Sequence, residues 1–381
     1  HHDANAAAAY FSSPFRDAAI MVVDGAGSGG DEVPPDEPPH PLAKKYGWMQ
    51  EVQSFYRAKG NSMELVRRTY ATPRCAFGAG FVYGIACEYL GFDKLDGGKL
   101  MGLASYGRPT NKFKTGLFRD YDGDLLVPFA RKRLLNGDWK YLEQKLFPGT
   151  PRRKPGGRLL QAHKDAAYHI QKETESAMLR MASALREEAG AKNLCLSGGV
   201  ALNGAANLLI EKKAGFDNIF IQPAANDAGI PLGCALHGYH VLLGGRKRFV
   251  MEHAFLGRAY SEKAVEDALR SEHGKVSARK KCNAAAIAAR ALAKGKIVGL
   301  FAGACEYGPR ALGARSILAD PRDPHMKDRL NATVKFRESF RPYAPAVLAE
   351  RCAEFFEPRT DSPFMLKIAD AKAGVADMVP A

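Results

Sequence analysis

NLCLSGGVALNGAANLLIEKKAGF (193–216) and, after Asp217, NIFIQPAANDAGIPLGCALHGYHVLLGG (218–245) decide the fold. Each begins with a short apolar run, breaks at small residues, and resumes with helical spacing. Strand, turn and helix repeated in this order imply an α/β domain with parallel strands. AIMVVDGAG (19–27) is a further strand pattern, ended by Asp24 and Gly25. DAAYHIQKETESAMLRMASALREEAG (165–190) is a long amphipathic helix with Gly190 as its stop.

Working outward, GWMQEVQSFYRA and SMELVRRTYA (62–71) predict short strands or a hairpin. FGAGFVYGIACEYLGF (77–92) has helical spacing and ends at Gly91. Between the first strands lies the acidic, Pro-rich SGGDEVPPDEPPHPLAKK, through which no helix can run. Residues 110–158 are polar, basic and irregular, and read as an insertion over a scaffold. GGRKRFVMEHAFLGRAYS (244–261) reads as a linker. Helices are expected at 262–271 and in CNAAAIAARALAKG, and IVGLFAGACEYGPRALG starts a strand and turn in a second domain. The expected division is 1–244 and 245–381.

The chain has 381 residues, enough for two domains, with 46% hydrophobic and 25% charged residues, as in a soluble globular protein. No apolar run reaches the roughly 20 residues that span a bilayer, so no membrane partner is expected. The sequence does not begin with Met, shows no signal peptide and stops at DMVPA. It is expected to be a fragment lacking sequence at both ends. Seven scattered cysteines (75, 87, 195, 234, 282, 305 and 352) form no CxxC and read as buried thiols of a reducing cytoplasm. The net charge of +14 suggests an anionic partner. Its basic clusters, RKR (131–133), PRRKPGGR (151–158), GRKR (245–248) and ARKK (278–281), are short and dispersed. Solvated loops are the better reading of them than a nucleic-acid track, which needs a contiguous patch.

GAGSGG (25–30) fits a dinucleotide-binding pattern, but DEVPPDEPP follows where a helix must start, so that reading is rejected. Asp24 ends a buried strand, where ligand sites gather, though a turn role alone would suffice. In LSGGVALN, Gly198 and Gly199 let backbone approach a nucleotide and the next helix favours an anion; a tight packing turn is the plain alternative. Asn203 serves a ligand or the turn. Asp227 precedes a helix as cap, metal ligand or general base. His237 and His240, lacking a third ligand, read as packing or surface residues.

EYGPRALGARSILADPR (306–322) is the sharpest segment, with Arg310, Arg315 and Arg322 in a Gly/Pro-rich turn. Guanidinium forks on a fixed backbone grip phosphate or carboxylate. In NATVKFRESFRPYAP (331–345), Lys335, Arg337, Ser339 and Arg341 would share one face of a strand. A solvated basic edge strand is the plain alternative, but two such segments close together favour a phosphate site.

At these residues the chain resembles the NodU/CmcH-type O-carbamoyltransferases, which modify antibiotics and nodulation factors. The matching stretches are HHDANAAAAYF, VVDGAG, LGFDKLDGGKLMGLASYG, LCLSGGVALN, QPAANDAG, EYGPRALGARSILADPR and MKDRLNATVKFRESFRPYAP, in order along nearly the whole chain. The resemblance implies an actin-like ATPase-fold (ASKHA) domain at 1–244, followed by a YrdC-like α+β domain at 245–381, both partial. In that family ATP and carbamoyl phosphate give carbamoyl adenylate in the YrdC-like domain. The actin-like domain then passes the carbamoyl group to a hydroxyl. The resemblance maps an iron site onto His1, position 5, Asp24 and Asp227, and an adenylate contact onto Gly198, Gly199 and Asn203. The grip on phosphate and nucleotide maps onto Arg310, Lys335 and Arg341, with Arg315 beside them.

The opening histidines are therefore read as native rather than a tag. Two residues depart from the family pattern. Asn5 stands where the family has His, leaving a weaker oxygen ligand and favouring a harder ion such as Mg or Mn. Ala304 stands where the family usually has Arg. Asp227 or His2 is the expected base, with no choice between them at this stage. The expected function is ATP-dependent O-carbamoyl transfer to a small molecule, using Mg with ATP and a divalent metal in the first domain. The alternatives are an RNA-binding relative of tRNA threonylcarbamoylation and a decayed, nucleotide-binding homologue. The acceptor hydroxyl is not legible in the sequence.

Overall fold

Asp17–Val23 is apolar from its second residue onward, and every residue from Ala18 to Val23 is buried. Such a run suits a strand covered on both faces. It is β1, the centre of a five-stranded sheet in a computed structural model of the chain. The structure describes residues 1–30, 32, 49–71, 77–121, 124–127, 138–280, 283–357 and 361–381. Most of the Pro-rich loop, the basic RKR, Lys281, Cys75 and Cys282 lie outside the described residues.

The element order is α1 (His2–Ser12), β1, β2 (Gln50–Lys59), β3 (Ser62–Ala71), α2 (Ala79–Tyr89) and α3 (Gly97–Ala104). Then come β4 (Arg119–Tyr121), β5 (Asp124–Leu126), α4 (Trp139–Leu146), α5 (Gln161–Ala189), β6 (Asn193–Ser197), α6 (Gly204–Lys213), β7 (Asn218–Ile221) and α7 (Ile230–His237). The main sheet runs β3-β2-β1-β6-β7. β2 and β3 form an antiparallel hairpin on β1, turning at Gly60 with φ +61°; β6 and β7 run parallel to β1. Ile20 is paired with Tyr56 on one side and Cys195 on the other. The outer strand β3 alternates toward solvent and carries the exposed charge Glu64, which helps protect an edge. The fold is thus mixed α/β.

α1 packs on β1, β2 and β6 and pairs with α7, while α5 packs on β1 and β2 and pairs with α2, α3 and α6. The α1–α7 pair depends on Gly233: a Cβ there would stand 1.9 Å from the Ala4 carbonyl oxygen. The next residue, Cys234, is consequently turned outward and exposed, unlike buried Cys87 and Cys195. This corrects the expectation that the cysteines are uniformly buried. Residues 110–158 are also more than an insertion. They supply the β4–β5 hairpin and α4, and bury Phe118, Leu125, Leu142, Leu146 and Phe147.

The chain divides into two compact units, His1–Met251 with Leu366–Ile368, and Glu252–Met365 with Ala369–Ala381. The stretch 244–251, expected as linker, belongs to the first. Arg248 donates to the carbonyls of Tyr10, Phe15 and Gly60, and the Met251 N–H donates to Ser12 O. The second unit holds α8 (Glu262–Ser271), α9 (Ala284–Ala293), the antiparallel pair β8 (Val298–Phe301) and β9 (Arg315–Leu318), and α10 (Met326–Leu330). Ala254, Ala314, Met326, Leu330 and Phe340 are among its buried residues.

The second Arg-rich segment is not a strand. Asn331–Lys335 continues α10 as a wider helical turn, and Phe336 then takes φ +46°. The cause is Asn331, 2% exposed, around which the segment winds. Its Nδ2 donates to the carbonyls of Ser339 and Arg341, and its Oδ1 accepts from Arg337 Nε at 2.8 Å. Backbone groups that a strand would offer sideways are turned inward. Lys335, Arg337, Ser339 and Arg341 therefore do not share a strand face.

Candidate metal centre and anion-binding loop

Parallel strands deliver their C-terminal loops to one edge of a sheet, where ligand sites form. β1 delivers Asp24 there, β6 delivers Gly198 and Gly199, and β7 leads to Asp227. His1 enters the same place from the N-terminal end of α1. Its Nε2 lies 3.7 Å from Asp24 Oδ2 and 3.5 Å from Asp227 Oδ1. One ligand atom from each of these residues lies within 4.8 Å of the others.

Glycines let this edge close. Gly198 has φ +85°, and a Cβ on it would stand 2.3 Å from Val23 O. A Cβ on Gly80, at the start of α2, would stand 2.6 Å from the Asp24 backbone. Gly25 N–H donates to Asp24 Oδ1 at 2.7 Å, which fixes the carboxylate. Asp24 Oδ2 and His1 Nε2 are both buried and have no hydrogen-bond partner. Burial raises the Asp24 pKa against the pull of the Gly25 N–H. Burial, and then the Asp24 charge, raise that of Asp227. Two orphaned buried atoms, one of them on the buried Asp24 carboxylate, with the exposed Asp227 carboxylate beside them, are conditions a divalent cation relieves. One imidazole nitrogen and two carboxylate oxygens are a donor set that suits such an ion. The residues present therefore fit a metal.

Asn5 follows His1 by one helical turn, its N–H bonded to His1 O at 3.1 Å. It is fully buried; its Oδ1 accepts from Ser197 Oγ at 3.2 Å, and its Nδ2 has no partner. His2 is fully buried with Nδ1 2.7 Å from Ser54 Oγ, and burial pushes its pKa down to about 3. A neutral, enclosed imidazole of that basicity is poorly suited to taking a proton from an acceptor. The Asp227 side chain is mostly exposed.

A buried ionic network beneath the cluster has no counterpart in the sequence reading. Glu51 and Arg68 side chains are 2% and 5% exposed, with Arg68 Nε 3.3 Å from Glu51 Oε2. Glu51 Oε1 accepts from the backbone N–H of His2 at 2.9 Å and of Ser28 at 3.0 Å. It thereby joins the start of α1 to the loop after Asp24. A Cβ on Gly27 would stand 2.5 Å from Glu51 Cγ and 2.6 Å from its Oε1, so that loop needs glycine. Arg68 also meets Asp3 at 2.7 Å and Tyr56 at 3.1 Å; burial opposes its charge, but Tyr56, Asp3 and Glu51 keep it protonated. Only the closed β2–β3 register brings Glu51 and Arg68 together, so no local signal reveals them.

Asn203 caps α6 by accepting from Ala206 N–H at 3.1 Å. Its amide also exchanges two hydrogen bonds with Gln171, at 3.0 and 3.1 Å, and Gln171 donates to Glu175 at 2.9 Å. Three of its four hydrogen-bonding places are thus used within the fold. His240 is buried, stacked on Phe11 at 4.3 Å, in keeping with a packing role. In the 151–158 cluster, two arginines are engaged within the fold. Arg153 donates to the carbonyls of Leu90, Gly91 and Gly157, and Arg152 lies 3.7 Å over Trp139.

In the second unit, 306–315 forms a closed loop with Gly308 at φ +103° and Gly313 at φ +113°. Glu306 Oε1 accepts from the N–H of Leu312 at 3.0 Å, Ala314 at 2.7 Å and Arg315 at 3.0 Å. Burial opposes ionisation of Glu306, but these N–H groups prevail and hold its pKa at about 2. Arg315 donates to the carbonyls of Ala302, Gly303 and Ala314 and lies 3.4 Å over Phe301. Arg310 stands in the loop, half-buried, its pKa lowered by burial. Lys335 is exposed, and Arg341 is half-buried with its N–H on Glu338 O. Glu306 lies inside the quoted motif, and its role was missed because the arginines drew the reading.

The family described as Carbamoyltransferase N-terminus matches residues 1–236, and Carbamoyltransferase C-terminus matches residues 289–381. An uncharacterized protein of Synechocystis is 36% identical over 404 residues, covering 98% of this chain and 58% of that protein. Nodulation protein NolNO of Sinorhizobium fredii is 34% identical, covering 96% of this chain and 50% of its own length. Nodulation protein NolO of Bradyrhizobium diazoefficiens is 32% identical, covering 98% and 64%. The chain thus spans between half and two thirds of the length of these relatives. Among the described residues, no helix is long and apolar enough to cross a membrane.

Proposed function

The chain belongs to the carbamoyltransferase family, and we propose that it carries out ATP-dependent O-carbamoyl transfer to a hydroxyl of a small molecule. In this reading the first unit is an actin-like ATPase-type domain and the second a YrdC-like one. In the second, water would cleave carbamoyl phosphate to carbamate and phosphate, and the carbamate oxygen would then attack the α-phosphorus of ATP, with Mg, giving carbamoyl adenylate as the bond to pyrophosphate breaks. Both substrates are anions whose reacting centres repel. Arg310, Lys335 and Arg341 are the cations proposed to offset that repulsion and hold the pair in line. The acceptor oxygen would then attack the carbamoyl carbon in the first unit. The bond to AMP breaks with its electron pair on AMP, and the hydroxyl proton passes to Asp227.

His1, Asp24 and Asp227 would hold a divalent metal, with iron as the family expectation and Mg or Mn favoured by Asn5. When bound it would supply Lewis acidity at the adenylate phosphate or the acceptor oxygen. Gly198 and Gly199 would let that phosphate approach the backbone. The observation carrying the reading is the pair of orphaned atoms, His1 Nε2 and Asp24 Oδ2, facing Asp227. The test is ATP–pyrophosphate exchange by the full chain. Exchange that requires carbamoyl phosphate is expected; a folded chain with no such exchange contradicts the proposal.

A further inference from the structure

We propose that Glu306 is a positioning residue for Arg310, folding the 306–315 loop into the shape that presents this guanidinium to an anion, and that Arg315 is a strut of that loop. This deepens the carbamoyl-phosphate reading of the second unit and rests on it.

The inference starts from how the loop is closed. A turn that reverses within a few residues leaves several backbone N–H groups pointing inward, and each needs an acceptor. Here four successive groups, from Leu312 to Arg315, are all satisfied by side chains. Glu306 Oε1 takes those of Leu312, Ala314 and Arg315, and Ser316 Oγ takes that of Gly313 at 3.0 Å. Three amides converging on one oxygen at 2.7 to 3.0 Å are the arrangement that holds a bound anion. The loop carries its own anion, and so keeps its shape before any substrate arrives.

Arg315 closes the other side. Its guanidinium is spent on the carbonyls of Ala302, Gly303 and Ala314 and on the face of Phe301. The loop base is held as well: Tyr307 N–H donates to Ala254 O at 2.6 Å, and Gly257 N–H donates to Cys305 O at 3.0 Å. A Cβ on Gly257 would stand 2.7 Å from Cys305 Cβ, so this approach requires glycine. With both flanks fixed, Gly308 and Pro309 lead to Arg310, which stands half-buried between them and the closed turn at 312–315. Arginine on a rigid loop binds an anion without first losing the freedom of the backbone beneath it. The two arginines five residues apart therefore do different work, Arg310 toward a ligand and Arg315 toward the fold.

The test uses the full chain, as wild type, E306Q, E306D and R310K. Two quantities are read: hydrogen exchange in a peptide covering 306–318, and the dissociation constants for carbamoyl phosphate and for inorganic pyrophosphate. In E306Q, exchange is expected to quicken at least tenfold and both anions to bind at least tenfold more weakly. E306D should recover part of each. R310K should weaken both anions at unchanged exchange. Faster exchange in E306Q with wild-type affinity overturns the positioning role, as does unchanged exchange. A wild type that binds pyrophosphate but not carbamoyl phosphate removes the carbamoyl reading, and the E306Q comparison with pyrophosphate still decides the inference. A wild type that binds neither overturns both.

Discussion

His1 Nε2 lies 3.5 Å from Asp227 Oδ1, although one residue opens the first helix and the other follows the last strand of the sheet. Two features produce this proximity. β1 and β7 run in the same direction on either side of β6, so the chain leaves both at one edge. Gly233 lets α7 lie directly against α1, which brings the start of each helix to that edge. Asp24, between them, completes a cluster whose buried atoms are left unsatisfied by the protein itself.

Glu51 should control this cluster without supplying a ligand to it: its Oε1 lies 3.5 Å from the His1 ammonium, away from the imidazole. Its carboxylate staples the first residue of α1 to the loop after Asp24. Glu51→Gln puts an amide donor against those N–H groups and leaves Arg68 without its buried partner. Divalent-metal affinity, measured by calorimetric titration, is expected to fall by about 10- to 100-fold, the usual cost of losing such a support. Arg57→Gln, which breaks the distant pair with Asp17 on the same sheet, should lower stability but leave metal affinity unchanged. Equal metal affinity in Glu51→Gln and wild type would remove the supporting role.

His2 makes stability acid-sensitive. Its pKa is 6.5 when unfolded and about 3 when folded, so the unfolded chain binds the extra proton between those values. Stability is therefore fully present above 6.5 and falls as pH drops toward 3. The loss from this one group is about 2 kcal/mol at a pH of about 5. Glu306 acts at lower pH. Its contribution is present above 4.5 and is lost as pH falls toward about 2. Chemical denaturation across this range should show a shallower acid slope in His2→Gln than in wild type. An identical slope would mean that the imidazole is not buried neutral.

Gly233→Ala tests the α1–α7 approach. The new methyl would meet Ala4 O at 1.9 Å, a backbone atom that cannot step aside alone. The helices must separate, at a cost of about 3 kcal/mol. Thermal unfolding should reveal it, and metal affinity should fall with it because His1 rides on α1. A variant as stable as wild type would contradict the packing described.

Much of this was legible from local pattern. The apolar run of β1, the two strand–turn–helix repeats and the stop at Gly190 each depend on neighbours in sequence. Asp24 and Asp227 could be singled out because strand ends are readable. The ionic network could not, since Glu51 and Arg68 meet only across a folded hairpin. The strand expected over Lys335–Arg341 failed for a related reason. Alternating charge looks extended, but one buried amide, Asn331, bends the segment round itself. Arg315 looked like Arg310 in sequence because nothing there shows that carbonyls of Ala302 and Gly303 wait for it.

The most direct test of the account is a manganese titration of the full chain, followed by magnetic resonance and calorimetry. The account predicts one tightly bound ion per chain, lost in Asp24→Asn and weakened in Asp227→Asn. Because burial raises the pKa of both carboxylates, protons compete earlier than at ordinary aspartates, and affinity should already decline at mildly acidic pH. A folded chain that binds no divalent ion, or an Asp24→Asn variant that binds it as well as wild type, would contradict the metal centre and the chemistry proposed for it.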